Sequence, residues 1–353
     1  MEIFKRIGVV GAGAMGRGIV QLFATCGIEV RLHDSRPEAI DEALFHNRAL
    51  LERAHKKGRL SAETLARALA CMTAADELDR LADCDLVVEA IVEQLDAKQA
   101  LLRELEARVA PDAVLATNTS SLSVAAIASV CRHPERVAGL HFFNPVPLMK
   151  IAEVVQAGRT APEVGERLVA LVERAGHFAA RVPDSPGFLV NHAGRAYGPE
   201  ALRILAEGIA TPAQIDRIMR DCLGFPMGPF ELFDLMGLDV SHSVMCSVHD
   251  QFYQDARYTP SALVPPRLAA GLLGRKSGEG FYRYTDGKPV LDESAEVATV
   301  SLEQPFWLDC EDAGMRDKIA AVLAAAGAEL ESGDSPSTRA ICLVTPWARI
   351  PAA

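Results

Sequence analysis

No stretch of this 353-residue sequence is apolar for long enough to cross a bilayer. Positive charge is in short supply. Lysine and arginine number 36 against 47 aspartates and glutamates, and the net charge is −11. That balance argues against nucleic acid or an anionic membrane surface as the main partner, and an anionic ligand would need a local basic patch. The eight cysteines include no Cys-x-x-Cys pair and no spacing that suits zinc. The expectation is free thiols in a reducing cytosol, hence a cytoplasmic protein with no metal. Met1-Glu-Ile-Phe-Lys-Arg6 goes almost directly into a strand, leaving no room for a signal or transit peptide. The remaining composition, 49% apolar and 24% charged, is that of a globular chain long enough for two domains or a little more.

What the sequence does contain begins with a nucleotide platform. A short apolar strand over 6–10 leads into Gly11-Ala-Gly13-Ala14-Met15-Gly16, and a helical pattern follows over 17–26. A glycine pattern alone is weak, but between a strand and a helix it acquires meaning. Gly11 would make the tight turn, Gly13 would let a pyrophosphate approach the backbone, and Gly16 would let the helix pack close to the strand. Ala14 and Met15 are counted with them as contacts in the same loop, at the positive end of the helix. A second strand over 29–33 ends at Asp34, about where a ribose-binding carboxylate belongs. A carboxylate accepts from a ribose 2′-hydroxyl and repels a 2′-phosphate, so NAD is favoured over NADP. Arg36 is a mild counter-signal.

Strands then alternate with helices, which predicts a Rossmann-type, doubly wound and mostly parallel sheet. A helix over 37–57 ends in His55-Lys56-Lys57-Gly58-Arg59, the densest basic cluster in the chain. It is either a set of cations on the negative end of a helix dipole or a phosphate patch. The run 85–91 is a buried strand interrupted by Glu89, placed at the strand end near the cofactor because an isolated buried carboxylate is costly. A helix over 96–109 follows, and a strand over 113–117 runs into Asn118-Thr-Ser120-Ser121. The run 136–140 delivers His141 and stops against Asn144, Pro145 and Pro147. Glu153 lies on the next apolar run, 149–155. Ligands bind such sheets beyond the carboxyl ends of the strands, where Asn118, Ser120 and His141 fall. A helix over 159–174 and a strand over 177–182 complete the platform.

Past Pro183-Asp-Ser-Pro-Gly187 the strand pattern stops, and 188–207, 212–223, 228–252 and 261–273 predict helices. Asn191 lies one turn into the first. The expected organisation is a nucleotide-binding domain over 1–185, an all-helical domain over 186–285 and a tail over 286–353. In the tail, strands at 297–300 and 340–344 around a helix at 315–326 suit a partial βαβ unit too small for its own core.

These motifs together resemble the 3-hydroxyacyl-CoA dehydrogenases over 6–284. The resemblance rests on the loop from Gly11 to Gly16, Val87-Val-Glu-Ala-Ile, Asn118-Thr-Ser-Ser-Leu, His141-Phe-Phe-Asn-Pro, Pro186-Gly-Phe-Leu-Val-Asn191, Gly224-Phe-Pro-Met-Gly-Pro-Phe-Glu-Leu and Lys276-Ser-Gly-Glu-Gly-Phe-Tyr. It implies oxidation of an (S)-3-hydroxyacyl-CoA with NAD as hydride acceptor, in fatty-acid or aromatic-acid breakdown. Family catalytic residues map to Ser120, His141, Glu153 and Asn191, with Ser120 and Asn191 also touching substrate. Family nucleotide contacts map to Asp34 and Glu89, and Asn118 joins them at its strand end. A CoA-contacting lysine maps to Lys57, while Leu50 stands near a family serine. His141 is the natural general base, since an unperturbed imidazole titrates near working pH. Glu153 would orient the ring, and Ser120 and Asn191 would hold the substrate oxygens. The tail departs from short family members and looks like the linker of longer bacterial relatives. The stretch 245–261 resembles the 3-hydroxyadipyl-CoA branch. A homodimer through the helical region is expected. A sugar-acid dehydrogenase of gulonate type, or a crystallin-like protein on the same fold, remain alternatives at this point.

Overall fold

The computed structural model describes residues 4–194, 197–290, 302–310 and 312–344. The chain divides into two compact units between Val290 and Leu291. The first unit therefore holds both the nucleotide platform and the helical region.

The platform runs β1 (Arg6–Val10), α1 (Ala14–Thr25), β2 (Glu29–His33), α2 (Pro37–Lys56), α3 (Ala62–Ala70), β3 (Met72–Ala74), β4 (Leu86–Glu89), α4 (Leu95–Glu106), β5 (Val114–Thr117), α5 (Val124–Ala128), β6 (Val137–Phe142), β7 (Ile151–Gln156), α6 (Pro162–Arg174) and β8 (Phe178–Pro183). One eight-stranded sheet has the order β3-β2-β1-β4-β5-β6-β7-β8. Every neighbouring pair is parallel except β6 and β7, which are antiparallel. Strands β4 and β5, Leu-Val-Val-Glu and Val-Leu-Ala-Thr, are buried at every position, as strands covered on both faces must be. Ile19 and Phe23 of α1, Ile40 of α2 and Leu168 of α6 join one core cluster. Leu102 and Leu105 of α4 and Ile127 of α5 join another. The chain leaves β1 toward β2 on one side and returns to β4 on the other, so the end of β1 is the topological switch point. Gly11 sits there. Two short elements, β3 and α5, had no sequence expectation. In β3 only Met72 is even half-buried, so no periodicity marks it. α5 is a single turn and a half, capped by Ser123, whose hydroxyl accepts from Ala126 N at 3.2 Å.

The helical region runs α7 (Val190–Ala193), α8 (Gly198–Ala206), α9 (Pro212–Asp221), α10 (Pro229–Met236), α11 (Leu238–Gln251) and α12 (Val264–Ala269), then a hairpin of β9 (Arg283–Thr285) and β10 (Lys288–Val290). The helix expected over 228–252 is two helices. Gly237 separates them at φ +94°, a conformation that no helix interior holds. The helix expected over 188–207 is likewise α7 and α8, with residues 195 and 196 outside the described residues. Leu202, Phe230, Phe233, Leu238, Met245 and Val264 form the core of this region. Two buried aspartates fasten its ends. Asp216 accepts from Phe230 N and Glu231 N at 2.9 Å each and from the Tyr282 hydroxyl at 2.7 Å. Asp234 accepts from Phe281 N and Tyr282 N at 2.9 Å. The two glycine-rich motifs of this region thus exist partly to bring backbone N–H groups to carboxylates.

The second unit contains β11 (Phe306–Asp309), α13 (Ala313–Ala325) and β12 (Ile341–Val344). Its strands pair in parallel with Phe306 opposite Ile341, a βαβ unit. The strand expected at 297–300 lies outside the described residues, and the partner of β12 is 306–309 instead.

Candidate active site

The antiparallel pairing of β6 and β7 sets His141 directly opposite Glu153. His141 Nδ1 lies 2.6 Å from Glu153 Oε2. A carboxylate can only accept, so Nδ1 carries the proton and Nε2 keeps a free lone pair. Nε2 has no protein partner among the described residues. The other carboxylate oxygen, Oε1, accepts from Leu189 N at 2.9 Å and Val190 N at 2.8 Å. Glu153 is fully buried and His141 is 5% exposed. A buried carboxylate costs several kcal/mol unless its lone pairs are satisfied, and here three donors satisfy them. Phe143 and Phe188 wall the ring at centroid distances of 4.4 and 5.9 Å.

The turn after β5 carries Ser120. Its fixing point is Glu93, which sequence reasoning missed. Glu93 Oε1 accepts from Thr119 Oγ1 at 2.6 Å, Ser120 N at 2.9 Å, Ser120 Oγ at 3.2 Å and Ser121 N at 3.1 Å. Its Oε2 lies 3.2 Å from Lys98 Nζ. Burial pushes the Glu93 carboxyl up, but the Lys98 ammonium and the bonds from Thr119 and Ser120 outweigh it and hold it below its ordinary value. Lys98 was legible in principle. It occupies the same face of α4 as Leu102 and Leu105, a core position at helical spacing.

The helical region grips the same turn. Asn191 Nδ2 donates to Ser120 O at 3.1 Å, and Gln251 Nε2 donates to Ser121 O at 2.6 Å. Asp184, in the linker, accepts from Ser123 Oγ at 2.8 Å, Val124 N at 2.9 Å and Ala125 N at 2.7 Å. Asn118 stands beside them, its Oδ1 accepting from Phe142 N at 2.9 Å. The fold therefore brings Ser120, Asn191 and Asn118 to one loop system beside the His141–Glu153 pair.

The nucleotide loop lies at the end of β1. Gly11 has φ +110°, and a Cβ there would stand 2.5 Å from Ala90 O; a Cβ on Gly16 would stand 1.7 Å from Gly11 O. Gly13 faces open space. Asp34 Oδ2 accepts from Ala12 N at 2.8 Å. A cavity of about 680 Å³ is lined by Gly11, Gly13, Asp34 and Ile91 among others. This shape suits NAD: an open approach at Gly13, free N–H groups at the start of α1, and a carboxylate at the ribose position. Ala14 is exposed at the first turn of α1, while Met15 packs against the core beneath.

Two further sequence-derived contacts are Glu89 and Lys57. Glu89 is at the strand end as expected but turned inward and fully buried. Its oxygens accept from Lys98 Nζ at 2.6 Å, Ile91 N at 2.8 Å and Thr117 Oγ1 at 2.7 Å. Its lone pairs are engaged by the protein, because Lys98 supplies a buried countercharge that the sequence reading did not include. Lys57 is exposed at the C-terminal end of α2, outside the cluster at Ser120.

A dinucleotide platform whose strands β6 and β7 set an imidazole beside a carboxylate has the parts of a dinucleotide-dependent dehydrogenase. Residues 6–185 match the NAD binding domain of 3-hydroxyacyl-CoA dehydrogenases and residues 187–284 match the C-terminal domain of the same family. The chain belongs to the 3-hydroxyacyl-CoA dehydrogenase family, and NAD is its cofactor. It is 45% identical over 278 residues to the 3-hydroxyadipyl-CoA dehydrogenase of Escherichia coli, covering 79% of this chain and 58% of that one. It is 40% identical to a probable 3-hydroxybutyryl-CoA dehydrogenase of Deinococcus radiodurans, covering 79% of this chain and all of that one. The crystal structure of 3-hydroxybutyryl-CoA dehydrogenase from Escherichia coli K12 superposes with a TM-score of 0.78 at 43% identity, covering 80% of this chain and 60% of that chain. The chain thus spans little more than half of the longer Escherichia coli relative. Among the described residues, no helix is long and apolar enough to cross a membrane.

Proposed function

We propose that this protein oxidises (S)-3-hydroxyacyl-CoA thioesters to 3-oxoacyl-CoA, with His141 as general base and Glu153 as its partner. The observation that carries the reading is the bond of 2.6 Å between His141 Nδ1 and Glu153 Oε2. It leaves Nε2 as the one ring position able to take a proton. Bound NAD+ supplies the hydride acceptor. Nε2 accepts the proton of the 3-hydroxyl as C3 gives up its hydride, and the buried Glu153 carboxylate stabilises the imidazolium that results. The Ser120 hydroxyl reaches the same oxygen of the substrate, and Asn191 holds the thioester end. Phe143 and Phe188 exclude water around the ring.

The similarity to a 3-hydroxyadipyl-CoA dehydrogenase favours an acyl chain ending in a carboxylate, and with it a place in fatty-acid or aromatic-acid catabolism. We also propose a homodimer through the helical region. Leu235, Met236 and Val240, at the α10–α11 junction, are 47–49% exposed, and an apolar face of this kind is most often covered by a second copy. A monomeric mass at micromolar concentration would remove that proposal.

The test of the reaction is NADH formation or consumption by the full chain with acetoacetyl-CoA, 3-hydroxybutyryl-CoA, 3-hydroxyadipyl-CoA and gulonate. Turnover of the CoA thioesters is the expected result. Turnover of gulonate alone, or of none of the four, overturns it.

A further inference from the structure

Two helices of the helical region reach the turn after β5 at successive carbonyls. Asn191 Nδ2 of α7 donates to Ser120 O at 3.1 Å, and Gln251 Nε2 of α11 donates to Ser121 O at 2.6 Å. Gln251 is the last residue of α11. The groups around its amide leave one assignment. Ser121 O and Ser247 O, the latter at 3.2 Å, are carbonyls and only accept, so the amide nitrogen faces both. One N–H goes to Ser121. The other turns back to Ser247, one helical turn earlier, whose Oγ also lies 3.0 Å away. That second bond fixes the side chain and so aims the first. The rings that follow the two amides also meet. His192 and Phe252 have centroids 5.6 Å apart, and Tyr258 stacks on Phe252 at 4.2 Å. The two amides therefore belong to one assembly across α7 and α11.

From the platform side, Glu93 accepts from the N–H groups of Ser120 and Ser121. The turn is thus held by its donors from the platform and by its carbonyls from the helical region. In the reaction above Asn191 has two tasks, since its amide is also assigned to the thioester end. Gln251 has no such second task, because both of its N–H groups are engaged within the protein. We propose that Gln251 is a positioning residue of the oxidation: it holds Ser121 O so that the neighbouring Ser120 hydroxyl stays aligned with the oxygen on C3 of the substrate. This rests on the 3-hydroxyacyl-CoA reading above and adds to it the anchor of Ser120 on the helical side. The competing role for Gln251 is to cap the end of α11 alone, through Ser247 O. That role predicts lost stability and unchanged chemistry.

The measurement is single-turnover hydride transfer between NADH and acetoacetyl-CoA, with KM for both and the urea midpoint of each protein. The set is wild type, Gln251→Met, Gln251→Glu, Ser120→Ala and the double variant of Ser120→Ala with Gln251→Met. Met keeps the length and loses the donors, and an ionised Glu keeps the shape but only accepts. One lost hydrogen bond corresponds to roughly 2- to 10-fold in rate. The rate should fall by about that factor in Gln251→Met and by more in Gln251→Glu, where two acceptors would face each other. KM for NADH should stay within about twofold. In the Ser120→Ala background Gln251→Met should have almost no further effect, because the hydroxyl it aligns is gone. A loss that multiplies in full with that of Ser120→Ala overturns the inference and leaves the dehydrogenase reading standing. An unchanged rate in both Gln251 variants does the same, and a lower urea midpoint would then assign Gln251 to the end of α11. Failure of the wild type to use any CoA thioester sinks both readings together.

Discussion

Lys98 and Glu93 meet at 3.2 Å beneath the turn that carries Ser120, with the Lys98 side chain only 1% exposed. The same ammonium lies 2.6 Å from Glu89. One buried cation therefore serves two carboxylates, Glu89 at the end of β4 and Glu93, which holds the turn carrying Ser120. Replacing Lys98 by Met keeps the bulk and removes the charge. Removing one partner of a buried pair costs about 3–5 kcal/mol. A loss of this order is expected in urea unfolding, together with a fall in kcat. Wild-type stability in Lys98→Met would mean that the two carboxylates are satisfied without it.

Acid should loosen this turn. The folded protein holds the Glu93 carboxyl below its ordinary 4.5, so the folded state binds fewer protons there than the unfolded chain. The stabilising contribution is complete above the unfolded value and is lost as pH falls through the depressed one. Glu93→Gln removes the titration, so its stability should change less than wild type's between pH 5 and pH 3. Parallel stability–pH curves for the two proteins would exclude this role.

His141 and Glu153 should behave as one unit. A general base contributes roughly 10²–10⁴-fold to rate, and His141→Gln should cost about that in kcat with NAD affinity nearly unchanged. Glu153→Gln keeps the shape and removes the charge that favours imidazolium. On the proposed mechanism both changes act on the same proton transfer, so the double variant should be far less impaired than the product of the two losses. Single-turnover hydride transfer in the four forms decides the matter. Multiplicative losses would separate the two residues and end the dyad.

Asp34 accepts from Ala12 N, inside the glycine loop, and should also accept from the adenosine ribose. Asp34→Ala should weaken NAD binding by roughly 10-fold or more, the scale of a lost bond to a charged group, and should narrow the preference over NADP. Equal use of NAD and NADP by the wild type would sink this assignment.

Thiol labelling should divide the cysteines by burial. Cys222 and Cys342 are exposed and should react quickly with an aromatic disulfide reagent at pH 8. Cys84 is 1% exposed, and burial pushes its thiol up to about 12. Burial likewise lifts Cys131 to about 11. Cys84 should label only after denaturation, because the thiolate is the reactive form. Rapid labelling of Cys84 in the native protein would contradict the packing of β4 against its neighbours.

The platform was legible because its signals are local. Each long apolar run is a strand, each amphipathic stretch a helix, and Gly11 to Gly16 fall between the two. His141 and Glu153 could be named from the sequence because both stand on apolar runs where a polar residue is conspicuous. The register that sets them face to face could not, since it comes from the one antiparallel pairing in the sheet. Glu93 escaped notice because nothing in its neighbourhood shows that five groups from a turn 26–28 residues away converge on it. Gln251 reaches Ser121 across 130 residues, a contact that periodicity cannot report. The break in 228–252 turned on Gly237, a residue that a helical pattern tolerates until its φ is known.

Glu153 divides its two oxygens between different tasks, Oε2 to His141 and Oε1 to the backbone that opens α7. The placement of the imidazole and of the helix are therefore linked through one carboxylate. Substitutions at Leu189 or Val190 that displace the start of α7 should therefore also move the His141 contact, and changes at His141 should be felt at α7.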